Sequence, residues 1–190
     1  MTFSRDSVTA RRLAGALILA LAIALGWLLL LPRSYETGLG ARVNPAELEP
    51  LGALPAIAIT ALDGTTYSNA TLAGKVAVLH FWGTNCAPCV GEIPALRAAW
   101  PTELEPLPEF AFVALASDRN VRTLERFITS RGILWPVAAS QEPATTAVWG
   151  NLGIESTPTT VIVDPTGQIR WVGTKIPENL PEIVKALANA

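Results

Sequence analysis

The sequence predicts an α/β fold built on a mixed central sheet flanked by helices. Three observations carry this. Runs rich in apolar and β-branched residues (Val76–Trp82, Phe110–Ala116, Thr159–Val163) alternate with stretches of helical character. The first two runs are apolar at nearly every position, as in strands covered on both faces. The chain then ends in a strand, a turn at Asp164-Pro165-Thr166-Gly167, a partner strand and a last helix, which adds a hairpin to the alternating pattern.

The first segment stands apart from that pattern. Leu13 to Leu31 contains no charged residue and no proline. As a helix it spans about 28 Å, close to the hydrocarbon thickness of a bilayer. Three readings compete: a cleaved signal peptide, with Gly38-Leu39-Gly40 as a loose cleavage site; a buried core helix; and a single-pass anchor. The apolar core is longer than that of a signal peptide, and a core helix would show a polar face. The anchor fits best, and the residues around Arg11-Arg12 do not support twin-arginine export. Arg5, Arg11 and Arg12 before the span, against Arg33 and Arg42 after it, favour a cytoplasmic N-terminus by a small margin. The expected organisation is a cytoplasmic N-terminus over 1–12, an anchor over 13–31, a linker over 32–52 and one domain over 53–190. The expected location is the cytoplasmic (inner) membrane, with the domain on the periplasmic side.

Residues 45–190 carry nine Lys and Arg against fourteen Asp and Glu. This acidic balance, with no basic stripe, argues against a nucleic-acid partner. Two closely spaced cysteines do not make a disulfide framework.

Taken in order, residues 33–55 are rich in Pro, Gly and Glu and read as a tether, with at most a helical turn near Ala46–Leu48. Ala56–Thr60 and Thr65–Ser68 flank Asp63-Gly64, a hairpin signal. Thr71–Lys75 reads as a loop before the strand Val76–Trp82. A helix follows the cysteines and should kink at Pro94. Trp100–Glu109, with three prolines, reads as a loop. After the strand Phe110–Ala116, Asp118 or Asn120 can cap a helix over Val121–Arg131 that ends at Gly132. The rest reads as a short strand over Leu134–Ala139, a helix over Pro143–Leu152, the hairpin Thr159–Val163 and Gln168–Val172, and a helix from Asn179 or Pro181 to Ala188.

Chemistry concentrates in residues 80–94, which hold the only histidine, His80, and the only cysteines, Cys86 and Cys89. The Cys-x-x-Cys falls where a strand turns into a helix. The first N–H groups of a helix lack intrahelical partners, and its dipole favours an anion there, so a thiolate at Cys86 is stabilised in its reactive form. Cys89, one turn later, can close the ring as the resolving thiol. A structural zinc site needs four ligands, more than two Cys and one His supply. Pro88 sits in the first helical turn, where a missing N–H is harmless.

These features together resemble the thioredoxin superfamily, and more closely its membrane-tethered TlpA/ResA/CcmG-like branch. The resemblance covers roughly residues 53–188. Phe81-Trp82-Gly83-Thr84-Asn85-Cys86-Ala87-Pro88-Cys89 is similar to that family's Phe-Trp-Ala-x-Trp-Cys-x-Pro-Cys. Glu92-Ile93-Pro94 resembles its Glu-x-Pro, and Thr157-Pro158-Thr159-Thr160 with the following strand, Asp164 and Gly167, resembles its cis-proline segment. The hairpin at Asp63-Gly64 is similar to its N-terminal addition. Two positions depart from the pattern: Asn85 stands where Trp is usual, and His80 stands where thioredoxins place a buried Asp.

The resemblance implies a thioredoxin-like fold, an N-terminal β-hairpin addition and a preceding transmembrane helix. It implies a redox-active pair at Cys86 and Cys89, a cis bond at Pro158, and a substrate-binding backbone at Thr157. His80 is either a core histidine or a proton acceptor for Cys89; a Cu(I) or zinc site with the cysteines is a third reading. Glu92 is either a solvated helix charge or a group with a local electrostatic or proton-transfer role, relaying protons or raising the thiol pKa by like-charge repulsion. The implied activity is thiol–disulfide exchange with no organic cofactor and no metal. Relatives mostly act as reductases, for cytochrome c haem-site cysteines or metal-site thiols, and are recharged by a membrane electron-donor protein. The alternatives are an oxidant of the same fold and a CxxC copper-delivery module.

Overall fold

The computed structural model describes residues 38–190. The span expected as a membrane anchor over 13–31 lies outside them. Among the described residues, no helix is long and apolar enough to cross a membrane.

The described chain opens along the flank of the domain. A short helical turn, Pro45–Glu47, is capped by the Asn44 side chain, which accepts from the Ala46 N–H. Leu48 is buried in the core, and strand β1 (Gly52–Ala53) pairs antiparallel with the later strand at Gln168–Ile169. The described part of the expected linker over 32–52 meets the domain at particular residues, Val43, Leu48 and Gly52 among them. Backbone amides have to find partners, and Pro and Gly content does not prevent them from doing so against a neighbouring strand.

β2 (Ala58–Thr60) and β3 (Thr66–Ser68) form the hairpin expected around Asp63-Gly64, as a separate two-stranded sheet. The Asp63 carboxylate accepts from the Thr65 N–H, which tightens the turn. A four-residue helix, α1 (Asn69–Leu72), takes in the first two residues of the expected loop over Thr71–Lys75. Ser68 and Thr71 close a reciprocal capping box there.

β4 (Val76–Trp82) is buried at all seven positions. α2 (Ala87–Ala99) follows, with Pro94 inside it, and runs on into a wider π-type turn at Trp100–Leu104 where a loop was expected. Pro101 lies in that turn, and Trp100 and Leu104 are buried. β5 (Phe110–Ala116) and α3 (Val121–Arg131) match the sequence reading, with Asn120 as the cap. β6 is confined to Val137–Ala139, because Pro136 offers only its carbonyl, to the Ala114 N–H. α4 (Pro143–Asn151), β7 (Thr159–Val163), β8 (Gln168–Gly173) and α5 (Leu180–Ala188) complete the chain.

The main sheet has the order β1-β8-β7-β4-β5-β6. β4, β5 and β6 are parallel, whereas β7, β8 and β1 run antiparallel to their neighbours. Alternation along β4 divides the core. Val76, Val78 and Trp82 pack with Ile93 and Leu96 of α2, Leu124 of α3 and Ile183 of α5. Ala77, Leu79 and Phe81 pack on the other face with Ile59 and Tyr67 of the hairpin and Val148 of α4. His80 shares the α2 face by the same period of two. The result is the mixed sheet flanked by helices, with an added hairpin, that the resemblance implied.

Candidate functional site

β4 delivers the chain to the site and α2 carries it away. Cys86 is the residue that caps α2, in extended conformation, and its Sγ accepts from the Cys89 N–H at 3.3 Å. Cys86 and Cys89 are joined by a disulfide, with Sγ–Sγ 2.04 Å and Cα–Cα 5.3 Å. Cys86 is half-buried, whereas Cys89 is only 2% exposed. An incoming sulfur therefore meets Cys86 first. Once the bond is reduced, the amide that already points at Cys86 Sγ, together with the helix dipole, favours its thiolate.

The turn between β4 and α2 is held by a residue expected to do something else. Asp118, an alternative helix cap in the sequence, instead accepts from the Thr84 N–H at 3.0 Å and from the Thr84 hydroxyl. Gly83 has to be small here: a Cβ would lie 2.6 Å from the Ser117 Oγ and 3.1 Å from the Asn85 Oδ1. Asn85 is exposed beside Cys86.

The Thr157–Pro158 bond is cis. Thr159 pairs with Phe81 in the antiparallel ladder, so the register carries Pro158 and Thr157 to the end of β4 where the cysteine turn begins. Pro158 is buried and Thr157 half-buried.

Beneath the disulfide lies a polar pair in an apolar layer. His80 is 4% exposed and Glu92 1%. His80 Nδ1 is 2.9 Å from the Thr160 Oγ1, its opposite residue across β4 and β7. His80 Nε2 faces Glu92 Oε2 at 3.8 Å. Glu92 Oε1 accepts from the Ile176 N–H at 2.8 Å, and Oε2 accepts no hydrogen bond from the described residues. The solvated-charge reading of Glu92 is thereby corrected: its position three residues after Cys89 points it into the core, with Cys89, Ile93 and Leu96.

Burial sets the charge of both groups. It pushes the Glu92 carboxyl up to about 7, against the lowering effects of the Ile176 N–H and the Lys175 charge. It pushes the His80 imidazole down to about 3. Near neutral pH, His80 is therefore neutral and Glu92 is the group poised to exchange a proton. A proton on His80 Nδ1, donated to Thr160, leaves Nε2 as an acceptor facing a protonated Glu92.

Two contributors were missed in the sequence. Thr160 becomes visible only when β4 and β7 are placed in register, and the backbone of Ile176 carries no side-chain signal at all. Among the described residues, no three His, Cys, Asp or Glu side chains converge as a metal site would require.

Comparison with known proteins places this geometry among relatives. The family model described as Redoxin matches residues 51–187. Thiol-disulfide oxidoreductase ResA of Bacillus thuringiensis (strain Al Hakam) is 28% identical over 135 residues, covering 70% of this chain and 75% of its own. ResA of Halalkalibacterium halodurans is 28% identical over 129 residues, 65% of this chain and 70% of its own. Among solved structures, a thiol:disulfide interchange protein of the thioredoxin family from Chlorobium tepidum TLS superposes with a TM-score of 0.58 at 26% identity, over 74% of this chain and 97% of its own. DsbF of MTB, solved in mixed oxidized and reduced forms, gives a TM-score of 0.57 at 28% identity, over 76% and 99%.

Proposed function

The chain belongs to the Redoxin family, and on that premise we propose that it is a ResA-like thiol–disulfide oxidoreductase, working as a protein-disulfide reductase at the outer face of the cytoplasmic membrane. The observation that carries the reading is the Cys86–Cys89 disulfide at the start of α2, with Cys86 accessible and Cys89 buried.

The reduced dithiol acts in two displacements. The Cys86 thiolate attacks one sulfur of a client disulfide, and the client's other sulfur leaves as a thiolate. Cys89 then loses its proton, attacks Cys86 Sγ and releases the second client thiolate. Two electrons pass from the dithiol to the client, and the two client thiolates take up protons. Glu92, buried one turn beyond Cys89, is the proton acceptor we assign for the Cys89 thiol. His80 holds the other side of that carboxyl as a neutral imidazole.

Clients are proteins whose cysteine pairs need reducing in an oxidising compartment, of the cytochrome c haem-site or metal-site kind. A membrane electron-donor protein returns the disulfide to the dithiol. The apolar span over 13–31, with the arginines before it, supports the tether and the periplasmic side.

The test is trapping. In cells, Cys89→Ala should accumulate mixed disulfides on Cys86 that a reductant releases, and Cys86→Ser with Cys89→Ala should show none. Absence of such species with Cys89→Ala would sink the exchange mechanism. A midpoint potential near the strongly oxidising extreme, about −120 mV, would reverse the direction from reductase to oxidant.

A further inference from the structure

Residues 38–43 run across the base of the site and bind it on both sides of Glu92. The Gly38 N–H donates to the Gly91 carbonyl at 3.0 Å, one residue before Glu92 on α2. Pro94, inside the same helix, has no N–H to offer the Val90 carbonyl, one residue before Gly91. The Gly40 N–H donates to the Ile176 carbonyl at 2.7 Å. Ile176 is the residue whose own N–H holds Glu92 Oε1. The Gly40 carbonyl accepts from the Glu178 N–H at 3.2 Å, and Lys175 Nζ reaches the Gly38 carbonyl at 3.5 Å.

The segment is fastened just beyond these contacts. Asn179, 4% exposed, pairs with the Val43 peptide in both directions: Oδ1 accepts from the Val43 N–H at 2.9 Å, and Nδ2 donates to the Val43 carbonyl at 2.8 Å. Its side chain does not cap α5. On the surface, Arg42 Nη2 meets Glu182 Oε2 at 2.6 Å. Gly40 permits the close approach. A Cβ there would stand 3.0 Å from the Lys175 Cβ and 3.3 Å from the Ile176 carbonyl oxygen.

We propose that residues 38–43 are a strap that positions Glu92, with Gly40 and Asn179 as positioning residues for proton transfer at the dithiol. The strap fixes Gly91 on Glu92's own helix and Ile176 across from it, and so sets how the carboxyl sits against His80. The proposal rests on the thiol-exchange reading for its function, but its geometry does not. It gives a structural reason for the segment that follows the apolar span to be docked: whatever displaces the strap changes the protonation of the group beneath the disulfide. Glu92 is faced by His80 from β4, by Lys175 from the loop before α5 and by Cys89 one turn earlier on α2.

The test uses the full chain in detergent micelles. The Glu92 carboxyl is titrated by carbon-13 NMR, its signal assigned by its loss in Glu92→Gln. In parallel, the exchange rate with a small disulfide is measured against pH. Displacing the strap admits water to a carboxyl whose ionisation is opposed chiefly by burial. In Gly40→Ala, the Glu92 midpoint should therefore fall by about one unit, and the pH profile of exchange should move with it. Asn179→Ala, which removes the fastening without crowding Ile176, should shift both in the same direction and decides the matter if Gly40→Ala does not fold. Arg42→Ala, which breaks only the exposed ion pairs with Glu182 and Glu178, should leave the midpoint in place. A lowered melting temperature with an unmoved midpoint in the folded variants would make the strap merely structural and overturn the proposal. Absence of exchange in the unaltered protein would instead refute the functional reading, and the NMR titration would still judge the strap.

Discussion

Glu92→Gln tests the buried pair most directly, through the pH dependence of stability. The ordinary Glu value is 4.5, and in the fold it is pushed up to about 7. Between those values the folded state holds its proton more tightly than the unfolded chain does. Stability from this group is therefore full below 4.5 and is lost as pH rises through 7. His80 works in the opposite direction. Its ordinary value of 6.5 is pushed down to about 3, so the unfolded chain binds the extra proton. The His80 contribution is present above 6.5 and is lost as pH falls towards 3. At about 1.4 kcal/mol per unit, raising the pH from 5 to 8 removes roughly 2–3 kcal/mol through Glu92 and restores roughly 2 kcal/mol through His80. The two nearly cancel. Gln keeps an oxygen for the Ile176 N–H but cannot ionise. The variant should therefore gain roughly 2 kcal/mol between pH 5 and pH 8, while the unaltered protein changes little. Urea unfolding followed by tryptophan fluorescence, with the disulfide kept oxidised, measures both. Stability curves that stay parallel across this range would refute the buried-carboxyl argument.

Two further outcomes follow from the same site. In the reduced protein, limited alkylation should modify Cys86 at least about tenfold faster than Cys89, because Cys89 is buried and Cys86 carries the favoured thiolate; peptide mass spectrometry reads the ratio, and faster labelling of Cys89 would contradict the assignment of roles. Thr160→Val removes the hydroxyl opposite His80 Nδ1 with little change of volume, leaving a fully buried ring nitrogen without its partner; the expected loss is about 1–3 kcal/mol in urea unfolding at pH 7, and an unchanged midpoint would show that the hydrogen bond contributes nothing net.

The legibility of this protein followed the range of its interactions. β4 and β5 were visible because each is apolar along its length, and the β2–β3 hairpin because Asp63-Gly64 marks its turn. α3 was bounded by Asn120 and Gly132, residues that act within a turn of themselves. The misreadings came where a distant partner decided the outcome. Gly52 and Ala53 form a strand only because β8 lies beside them, and Leu48 is fixed where Arg170 reaches its carbonyl. Asp118 has the chemistry of a helix cap, yet the Thr84 N–H and hydroxyl claim it.

The same division holds at the site. The sequence by itself determined the dithiol, the helix start that stabilises its thiolate and the presence of His80 and Glu92 close by, because covalent spacing along one strand and one helix sets those relations. It could not say which of the two ionisable groups exchanges protons near neutral pH. That depends on how much water each keeps, on Thr160 across the sheet and on Ile176 across the core. Tertiary packing decided it, by burying both groups and supplying each with a partner more than seventy residues away in the chain. Desolvation and a hydrogen bond from a distant segment exist only once the chain has folded, and burial then raises the Glu92 carboxyl and keeps His80 neutral.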